Sequence, residues 1–329
     1  MTMRVLLALI AIFALAAASP LNPLSDAVIN YINNVAKPGW TAGRNFDEHE
    51  LPLLKTLACV NTTANGEYMK QNMPVKDGFF RSDLPKEFDA RKKWTKCASI
   101  GEIRDQGACG SCWAFATAES ITDRICINGL DKVRISSEDI LSCCDWCGSG
   151  CGGGYPAKAW QYYVQTGVVT GGPYASNQGC MPYEIAPAPG HSHSLMFPRE
   201  PTPPCTNKCR KGYDKTYNQD KHKGKNSYAV KGVKKAMQEI VDNGPVTAVF
   251  DLYQDFYSYK SGVYRHTTGF RVGGHVVKLI GFGNENGDDY WLVANSWNKT
   301  WGDHGLFKIL RGSNECGIED WIAGGEPVV

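Results

Sequence analysis

The sequence lacks an excess of charge of either sign. Its 329 residues include 35 lysines and arginines against 33 aspartates and glutamates, for a formal net charge of +2. The basic residues form no long run, so nothing points to a nucleic-acid partner. Beyond the N-terminus there is also no apolar run near the roughly 20 residues that a membrane-spanning helix needs. We therefore expect neither nucleic-acid binding nor a membrane span.

The N-terminus and the cysteines together indicate a cellular compartment. Arg4 precedes an apolar run over 5–16 and the small residues of 16–19. This pattern is typical of a secretory signal peptide, which we expect to end near residue 18. Thirteen cysteines, most of them between Cys97 and Cys209, predict disulfides formed in an oxidising environment. The protein is thus predicted to enter the secretory pathway, with the extracellular space and the lysosome both left open.

After about residue 84 the chain shows helical patterns first and strand patterns later. Helices are predicted over 113–125, 157–166 and 231–243, and the last one ends at Gly244-Pro245. An irregular insert covers about 179–224, and strands are predicted over 246–250, 275–282, 290–296 and 306–310. Helices followed by strands indicate an α+β protein with two facing subdomains.

The most informative segment is QGACGSCWAF, residues 106–115. It places the Cys112 thiol where a loop turns into a helix, with Ser111 as the predicted N-cap. A helix N-terminus stabilises the thiolate, which is the nucleophilic form of cysteine. The Gln106 side-chain amide and the Cys112 backbone N–H are candidate donors to an oxyanion beside the sulfur. A buried structural cysteine is the alternative interpretation.

A thiol nucleophile needs a base, and His275 is the candidate. It follows two glycines at the start of an apolar strand, whereas an isolated histidine would more often be a core residue. Asn295 and Trp297 follow in the next predicted strand. Together with the segment around Cys112, these residues resemble the papain-like family of cysteine peptidases. In that family an asparagine at the position of Asn295 orients the imidazole, and a tryptophan at that of Trp297 shields their hydrogen bond from water.

The resemblance implies a fold and a reaction. The fold is a papain-like α+β fold of two subdomains, a helical left one and a β-barrel-like right one, with the active-site cleft between them. The reaction is peptide hydrolysis by a Cys112 thiolate paired with a His275 imidazolium, through a thioester acyl-enzyme, without cofactor or metal. Gln106 and Asn295 complete the implied catalytic set. The implied substrate-binding residues are Gly153, Gly154, Gly274, Trp297, Trp321, His191 and His193.

The chain resembles a zymogen made of a signal peptide, a propeptide and a mature domain. Residues 84–91 resemble the start of mature papain-like enzymes, so we expect a signal peptide over 1–18, a propeptide over 19–83 and the mature peptidase domain over 84–329. Residues 40–46 resemble the short propeptides of the cathepsin B type; a small independent domain is the alternative. The implied partners are polypeptide substrates, the protein's own propeptide as inhibitor, and inhibitors of the cystatin type.

The resemblance to the cathepsin B type also implies the disulfides. It leaves Cys112 and Cys316 free and removes Cys59 with the propeptide. A zinc site is the alternative use of Cys144 and Cys147. The implied pairs are Cys97–Cys126, Cys109–Cys151, Cys143–Cys205, Cys144–Cys147 and Cys180–Cys209.

The sequence departs from the cathepsin B pattern in an insert at about 185–205. Enzymes of that type carry an occluding loop whose two adjacent histidines hold the C-terminal carboxylate of a substrate, giving dipeptidyl carboxypeptidase activity. Here Ser192 separates His191 from His193. Asp105 retains the acidic anchor of one histidine, and Thr300 stands where a second acidic anchor is usual. We expect weak or absent exopeptidase activity; a solvated loop and a metal-binding pair are alternatives for the two histidines.

Two further departures concern the cleft. Trp321 stands where cathepsin B carries an acidic residue at the base of the S2 pocket, which favours hydrophobic over basic P2 residues. Asp320, one position away, would restore basic specificity if the register shifted. Asn298 and Asn61 begin N-glycosylation sequons.

The predicted function is therefore a secreted or lysosomal cysteine endopeptidase, made as a zymogen and active in acid. Retained dipeptidyl carboxypeptidase activity is one alternative. An inactive papain-fold binding scaffold is another, against which the presence of Gln106, Cys112, His275 and Asn295 argues.

Overall fold

The structure is a computed structural model that describes residues 22–76, 78, 81–187 and 199–329. The predicted signal peptide, as well as His191 and His193, lies outside the described residues. Among the residues described, no helix has the length and apolar character that crossing a membrane requires.

Residues 22–83, called the N-terminal segment below, begin with short helices and one strand. Asn61 accepts a hydrogen bond from the Ala64 N–H at 3.0 Å and so caps the longest of these helices. The elements are α1 (Asp26–Asn30) continued by a π-helical turn (Tyr31–Ala36), β1 (Trp40–Ala42), a 3₁₀ turn (Glu48–Glu50), α2 (Leu51–Leu57) and α3 (Thr62–Asn72).

The helical half is built around the helix Cys112–Ile127, called α5, of which fifteen of sixteen residues are buried. Its apolar residues, such as Trp113 and Phe115, are buried together with the small residue Ala114. Its buried charged residues, Glu119, Asp123 and Arg124, take part in ion pairs. Ser111 stands at the N-cap position as predicted, but its side chain does not cap the helix, because its buried hydroxyl pairs with the Tyr183 hydroxyl at 3.0 Å. The helices here are α4 (Ala90–Lys93), α5 (Cys112–Ile127), α6 (Ser137–Cys143) and α7 (Pro156–Gln165).

The second half is one nine-stranded sheet with the order β1-β5-β8-β7-β6-β4-β9-β3, and β2 pairs with β6. All pairs are antiparallel except the parallel pair of β5 and β8. The elements are β2 (Phe88–Asp89), β3 (Gly224–Val230), α8 (Val233–Asn243), β4 (Val246–Tyr253), β5 (Tyr259–Tyr264), β6 (Arg271–Glu285), β7 (Asp288–Ala294), β8 (Leu306–Leu310) and β9 (Trp321–Pro327).

The sheet is open, which corrects the expectation of a β-barrel-like subdomain. Closure would need the two edge strands to pair with each other. Instead β5 pairs on its outer side with β1 of the N-terminal segment. The outer side of β3 bonds to residues 74–76 of the same segment, through a parallel bridge between Val75 and Ala229, while α7 packs against β3. Each edge is thus covered by another element rather than by the opposite edge.

The N-terminal segment contributes to both of the large apolar cores. Trp40 and Leu54 are buried in the core on the sheet, and Met69 and Met73 in the core between the sheet and α5. The two cores meet where the N-terminus of α5 faces β6, with the Val276 N–H 3.4 Å from the Cys112 sulfur. The segment therefore covers the line along which the two halves of the molecule meet.

Arg124 ties α5 to the sheet and is 1% exposed. Its guanidinium donates to the Glu239 carboxylate at 2.9 Å, to the Tyr228 hydroxyl at 3.0 Å and to three backbone carbonyls. A buried charge is tolerated only when it is paired and hydrogen-bonded, and here every group of the guanidinium has a partner.

Replacing Arg124 with methionine should lower the free energy of unfolding by about 3 kcal/mol, because three buried carbonyls and the Glu239 carboxylate lose the guanidinium. The Lys76 ammonium, 2.9 Å from Glu239, stays in place and offsets part of the loss. The matched control is Arg44→Met, which removes an exposed ion pair with Asp26 and should cost at most about 1 kcal/mol. Urea denaturation of the full chain measures both. Equal losses in the two variants would contradict this account of Arg124.

Candidate functional site

The candidate nucleophile lies at the first position of α5. Cys112 is fully buried, and the Val276 N–H on β6 points at its sulfur from 3.4 Å. A helix start places unpaired backbone N–H groups beside the side chain, so negative charge on this sulfur would be stabilised. The packing of α5 against β6 brings the two halves of the site together.

His275 lies on β6, and its imidazole is oriented by residues after β7 and by one residue of β4. Its Nε2 lies 2.8 Å from the Asn295 Oδ1, which also accepts the Ser296 N–H at 2.8 Å. The Trp297 ring covers the imidazole, with 4.8 Å between the ring centroids, and the Phe250 ring packs on it with 5.7 Å. The imidazole is thus oriented by one hydrogen bond and by two aromatic contacts.

The Gln106 amide is oriented by its own hydrogen bonds. Its Oε1 accepts from the Ser296 hydroxyl at 2.8 Å, and its Nε2 donates to the Cys109 carbonyl at 2.8 Å. An amide nitrogen carries two hydrogens, so the Nε2 has a second N–H beyond the one given to Cys109. This arrangement fixes which end of the side chain is the donor.

An extended stretch of the N-terminal segment bonds to both walls of the cleft. The Gly154 N–H donates to the Cys59 carbonyl at 3.0 Å, and the Cys59 N–H donates to the Gly274 carbonyl at 2.9 Å. The Gly274 N–H donates in turn to the Val60 carbonyl at 3.1 Å. A Cβ on Gly153 or Gly274 would lie 2.5 Å from a carbonyl oxygen of this stretch, so only glycine admits it here. All three predicted substrate-binding glycines therefore contact the N-terminal segment.

Trp321 begins β9 and faces α3 of the N-terminal segment. Gly66 lies directly on the indole, and the Lys70 ammonium is 5.1 Å from a ring centroid. The indole lines a cavity of about 270 Å³, which Asp251 and Asp320 also line. Asp251 is paired with Arg271 at 2.7 Å, and Asp320 accepts a hydrogen bond from Asn314 at 2.9 Å.

The disulfides include the five implied pairs and a sixth. Cys59 of the N-terminal segment is bonded to Cys112, so the expectation that Cys112 stays free is wrong for this form of the chain. The extended stretch carries Cys59 directly over the start of α5, which brings the two sulfurs together. Cys316 is free. The other pairs are Cys97–Cys126, Cys109–Cys151, Cys143–Cys205, Cys144–Cys147 and Cys180–Cys209, which leaves neither Cys144 nor Cys147 for the alternative zinc site.

Sequence reasoning missed the part that Cys59 plays in the site. The sequence offers one signal for this role of Cys59, the odd number of cysteines with a single one in the N-terminal segment. No residue pattern links Cys59 to Cys112, which is 53 positions away.

The described ends of the insert at 185–205 lie beside residues 106–111, the loop that precedes Cys112 and is called the nucleophile loop below. The Glu200 N–H donates to the Ala108 carbonyl at 2.9 Å, and a Cβ on Gly107 would lie 2.3 Å from the Ala186 carbonyl oxygen. The carboxylate of Asp105, the expected histidine anchor, accepts the Gly107 N–H at 2.8 Å and the Asn298 side-chain N–H at 3.1 Å. His191 and His193 lie outside the described residues.

Burial governs the electrostatics of His275. Because water is excluded around the imidazole, its pKa is lowered from the ordinary value of 6.5 to about 4, and hydrogen bonding to the Asn295 side chain and the Leu57 backbone offsets only part of this. The ring is therefore neutral near pH 7 while the N-terminal segment covers it, and a disulfide-bonded Cys112 cannot form a thiolate. The thiolate–imidazolium pair is absent from this form.

Comparison with known sequences points to one family. A profile described as "Papain family cysteine protease" matches residues 84–325. The chain is 45% identical over 340 aligned positions to cathepsin B-like cysteine proteinase 4 of Caenorhabditis elegans, with 99% of both chains covered. It is 44% identical over 314 positions to a cathepsin B-like cysteine proteinase of Schistosoma japonicum, which covers 93% of this chain and 91% of that one.

Solved structures agree in fold. ProCathepsin B S9 from Trypanosoma congolense superimposes with a TM-score of 0.80 at 35% identity, covering 94% of this chain and 99% of that one. Procathepsin L2 proteinase from Tenebrio molitor larval midgut gives a TM-score of 0.67 at 26% identity, covering 94% and 90%. Both names denote proforms, and coverage of this extent takes in the N-terminal segment.

The His275 imidazole should titrate with a pKa of about 4 in the full chain. Since this lies below 6.5, the closed form binds fewer protons than a form with a solvated imidazole between pH 6.5 and 4. Contacts over His275 are therefore strongest above pH 6.5 and weaken as the pH falls through this window. NMR titration of labelled histidines measures the value, and His275→Asn identifies the resonance. A midpoint near 6.5 would overturn the burial argument.

Proposed function

Because the chain belongs to the papain family of cysteine proteases, we propose that it is the zymogen of a secreted or lysosomal cysteine endopeptidase. The enzyme is a cysteine peptidase similar to the cathepsin B-like proteinases. One observation carries the zymogen assignment: the extended stretch of the N-terminal segment lies across the cleft, bonded to both walls directly over Cys112 and His275.

The domain organisation follows from this blocked cleft. Residues 1–18 act as the signal peptide, 19–83 as the propeptide and 84–329 as the mature peptidase. The family match begins at residue 84 and supports this boundary. A polypeptide that occupies the cleft without being released inhibits the enzyme, and its removal opens the site.

The reaction begins once Cys112 is a free thiol and the propeptide has left. Solvation then allows His275 to take the proton of the thiol, which gives a thiolate–imidazolium pair at the start of α5. The thiolate attacks the substrate carbonyl, and the Gln106 Nε2 and Cys112 backbone N–H groups stabilise the oxyanion. His275 protonates the leaving amine and then activates the water that hydrolyses the thioester. Asn295 keeps the imidazole oriented through both steps.

Acid favours the active form because it protonates the His275 imidazole, which the closed form holds neutral. The closed form holds His275 neutral, so protonation of the imidazole between pH 6.5 and 4 favours any form in which water reaches it. The active pair, in contrast, uses the protonated imidazole. Falling pH therefore weakens the inhibited form while it leaves the catalytic pair charged.

The S2 pocket favours hydrophobic P2 residues. When α3 leaves, the indole of Trp321 faces the cleft beside the buried side chains of Val249 and Phe250. Of the carboxylates that line this cavity, Glu67 leaves with α3. Asp251 is already paired with Arg271, and Asp320 accepts a hydrogen bond from Asn314. A P2 arginine would therefore meet no unpartnered carboxylate among the described residues that line the opened pocket and would gain a cation–π contact alone.

Endopeptidase activity is favoured over dipeptidyl carboxypeptidase activity. Ser192 separates the two histidines that would hold a terminal carboxylate, and Thr300 stands where a second acidic anchor is usual. His191 and His193 would then contribute little to substrate binding.

Disulfides and glycosylation sequons point to the compartment in which the protein is made. Six disulfides and the sequons at Asn61 and Asn298 support passage through the secretory pathway. Asn61 is exposed and stands before α3. Inhibitors of the cystatin type would compete with substrates for the opened cleft.

Cys112→Ala should abolish cleavage of a blocked Phe-Arg peptide by acid-processed protein, because no other described group can act as the nucleophile in its place.

Gln106→Ala should lower kcat by about 10²–10³ with little change in KM, because the second N–H of the Gln106 side chain acts on the oxyanion rather than on the ground state. Gln219→Ala, a surface change beside Thr216, is the matched control and should leave both constants unchanged. A Gln106→Ala effect on KM alone would contradict the assigned role.

Trp321→Glu should raise kcat/KM for Arg-Arg relative to Phe-Arg peptides by about tenfold or more, since a charge-assisted hydrogen bond contributes about 1.5–3 kcal/mol. Trp321→Phe keeps the pocket apolar and should retain the preference for Phe-Arg. Efficient Arg-Arg cleavage by the unmodified enzyme would contradict the proposed P2 preference.

A further inference from the structure

The sixth disulfide joins the N-terminal segment to the proposed nucleophile. We propose that Cys59 and Cys112 form a reversible redox latch, a disulfide that keeps the zymogen closed until a thiol reductant cleaves it. The inference rests on the proposed function, in which Cys112 is the nucleophile and residues 19–83 are the propeptide. It adds a second condition for activation, independent of acid.

The two cysteines are placed for a bond. Their Cα atoms are 6.2 Å apart, within the roughly 4.4–6.8 Å that disulfides span. Both side chains are buried, Cys59 with 4% and Cys112 with 0% of their surface exposed. A small thiol in solution therefore reaches the pair only when the segment opens transiently.

The backbone sets this placement independently of the two sulfurs. Cys59 bonds through its N–H to Gly274 and through its carbonyl to Gly154, so both walls of the cleft hold the residue itself. A Cβ on Gly110 would lie 3.1 Å from the Thr56 carbonyl and 3.4 Å from the Cys59 Cβ. The nucleophile loop thus leaves just enough room for the segment to pass.

Packing on either side anchors the stretch that carries Cys59. Leu54 and Leu57 precede it and are buried in the core on the sheet. Met69 and Met73 follow it and are buried in the core beside α5. Because the segment is held at both ends, a reduced Cys59 stays next to Cys112, and the second step of oxidation is intramolecular.

The chemistry balances with a small disulfide as oxidant. The Cys59 thiolate attacks a sulfur of oxidised glutathione and displaces one glutathione thiolate. The Cys112 thiolate then attacks the Cys59 sulfur of this mixed disulfide and displaces the other. The two protein thiols lose two electrons and two protons, which appear in two glutathione thiols. A thiol reductant reverses both steps and leaves Cys112 able to ionise.

A metal ion is the competing use of these donors. A ring nitrogen of His275 and the sulfurs of Cys59 and Cys112 lie within 4.8 Å of one another. Two thiolates and an imidazole are ligands that zinc accepts. The disulfide excludes this use, since neither bonded sulfur is a thiolate, and the experiment therefore includes a chelator.

Counting thiols tests the latch directly. The full chain, denatured without reductant, should react with one equivalent of a thiol reagent, at Cys316, against three if Cys59 and Cys112 are unbonded. Cys59→Ser should give two equivalents, from Cys112 and Cys316, and Cys316→Ser should give none. Mass spectrometry of an unreduced digest should find peptides that contain Cys59 and Cys112 joined.

Activation supplies the second readout. The full chain is treated briefly with dithiothreitol or with buffer alone, freed of reagent, and brought to about pH 5. Processing near residue 83 and peptide cleavage should require the reductant in the unmodified chain and in Cys316→Ser. Cys59→Ser should lose this requirement and activate in acid alone.

The outcomes separate the latch from the proposed function. Three thiols in the untreated chain, or activation in acid without reductant, would overturn the latch even if the enzyme is active. Release of Cys112 by a chelator instead of a thiol would also overturn it in favour of a metal site. If acid-treated Cys59→Ser neither cleaves peptides nor reacts with a cysteine-directed epoxide, the proposed function fails and the latch with it.

Discussion

The cleft functions because its two walls carry no side chain where an extended chain must approach. Gly153-Gly154 on one wall and Gly274 on the other expose backbone N–H and C=O groups, and a Cβ on Gly153 or Gly274 would meet a carbonyl oxygen at 2.5 Å. The N-terminal segment bonds to these groups, and in the proposed function a substrate strand binds the same backbone surface. The proposed nucleophile and base need no further device to meet a peptide, since α5 and β6 already present them between the walls.

The same constraint couples Trp321 to the N-terminal segment. A Cβ on Gly66 would lie 2.2 Å from the indole, so α3 can cross this pocket only with a glycine at that position. In the proposed function this cavity is the S2 pocket, so Trp321 determines both what a substrate side chain meets there and which helix can lie on the pocket in the closed form. Met69, one turn further along α3, then packs into the core beside α5.

The parts of the site that sequence could predict are those with a local signature. Cys112 stands at a helix start, His275 follows two glycines at a strand, and the predicted helices and strands after residue 84 agree with the structure to within a few residues at most ends. The helix α3 could not be predicted, because Thr, Asn and Gly are poor helix formers and its stability comes from the Asn61 cap and from packing on Trp321. The open sheet and the bond of Cys59 likewise depend on contacts between segments that are distant in the chain.

Acid and thiol act on different parts of the closed form, and the difference has a consequence for where activity would appear. Protonation of His275 weakens contacts that exclude water, but it cannot free a sulfur that is covalently bonded. Reduction frees the sulfur, but above pH 6.5 the segment still lies across the cleft with the imidazole neutral beneath it. A compartment that is acidic and also supplies thiols meets both conditions, whereas an oxidising extracellular fluid meets neither. The two proposals together therefore favour an acidic, reducing organelle over the extracellular space as the place of activation.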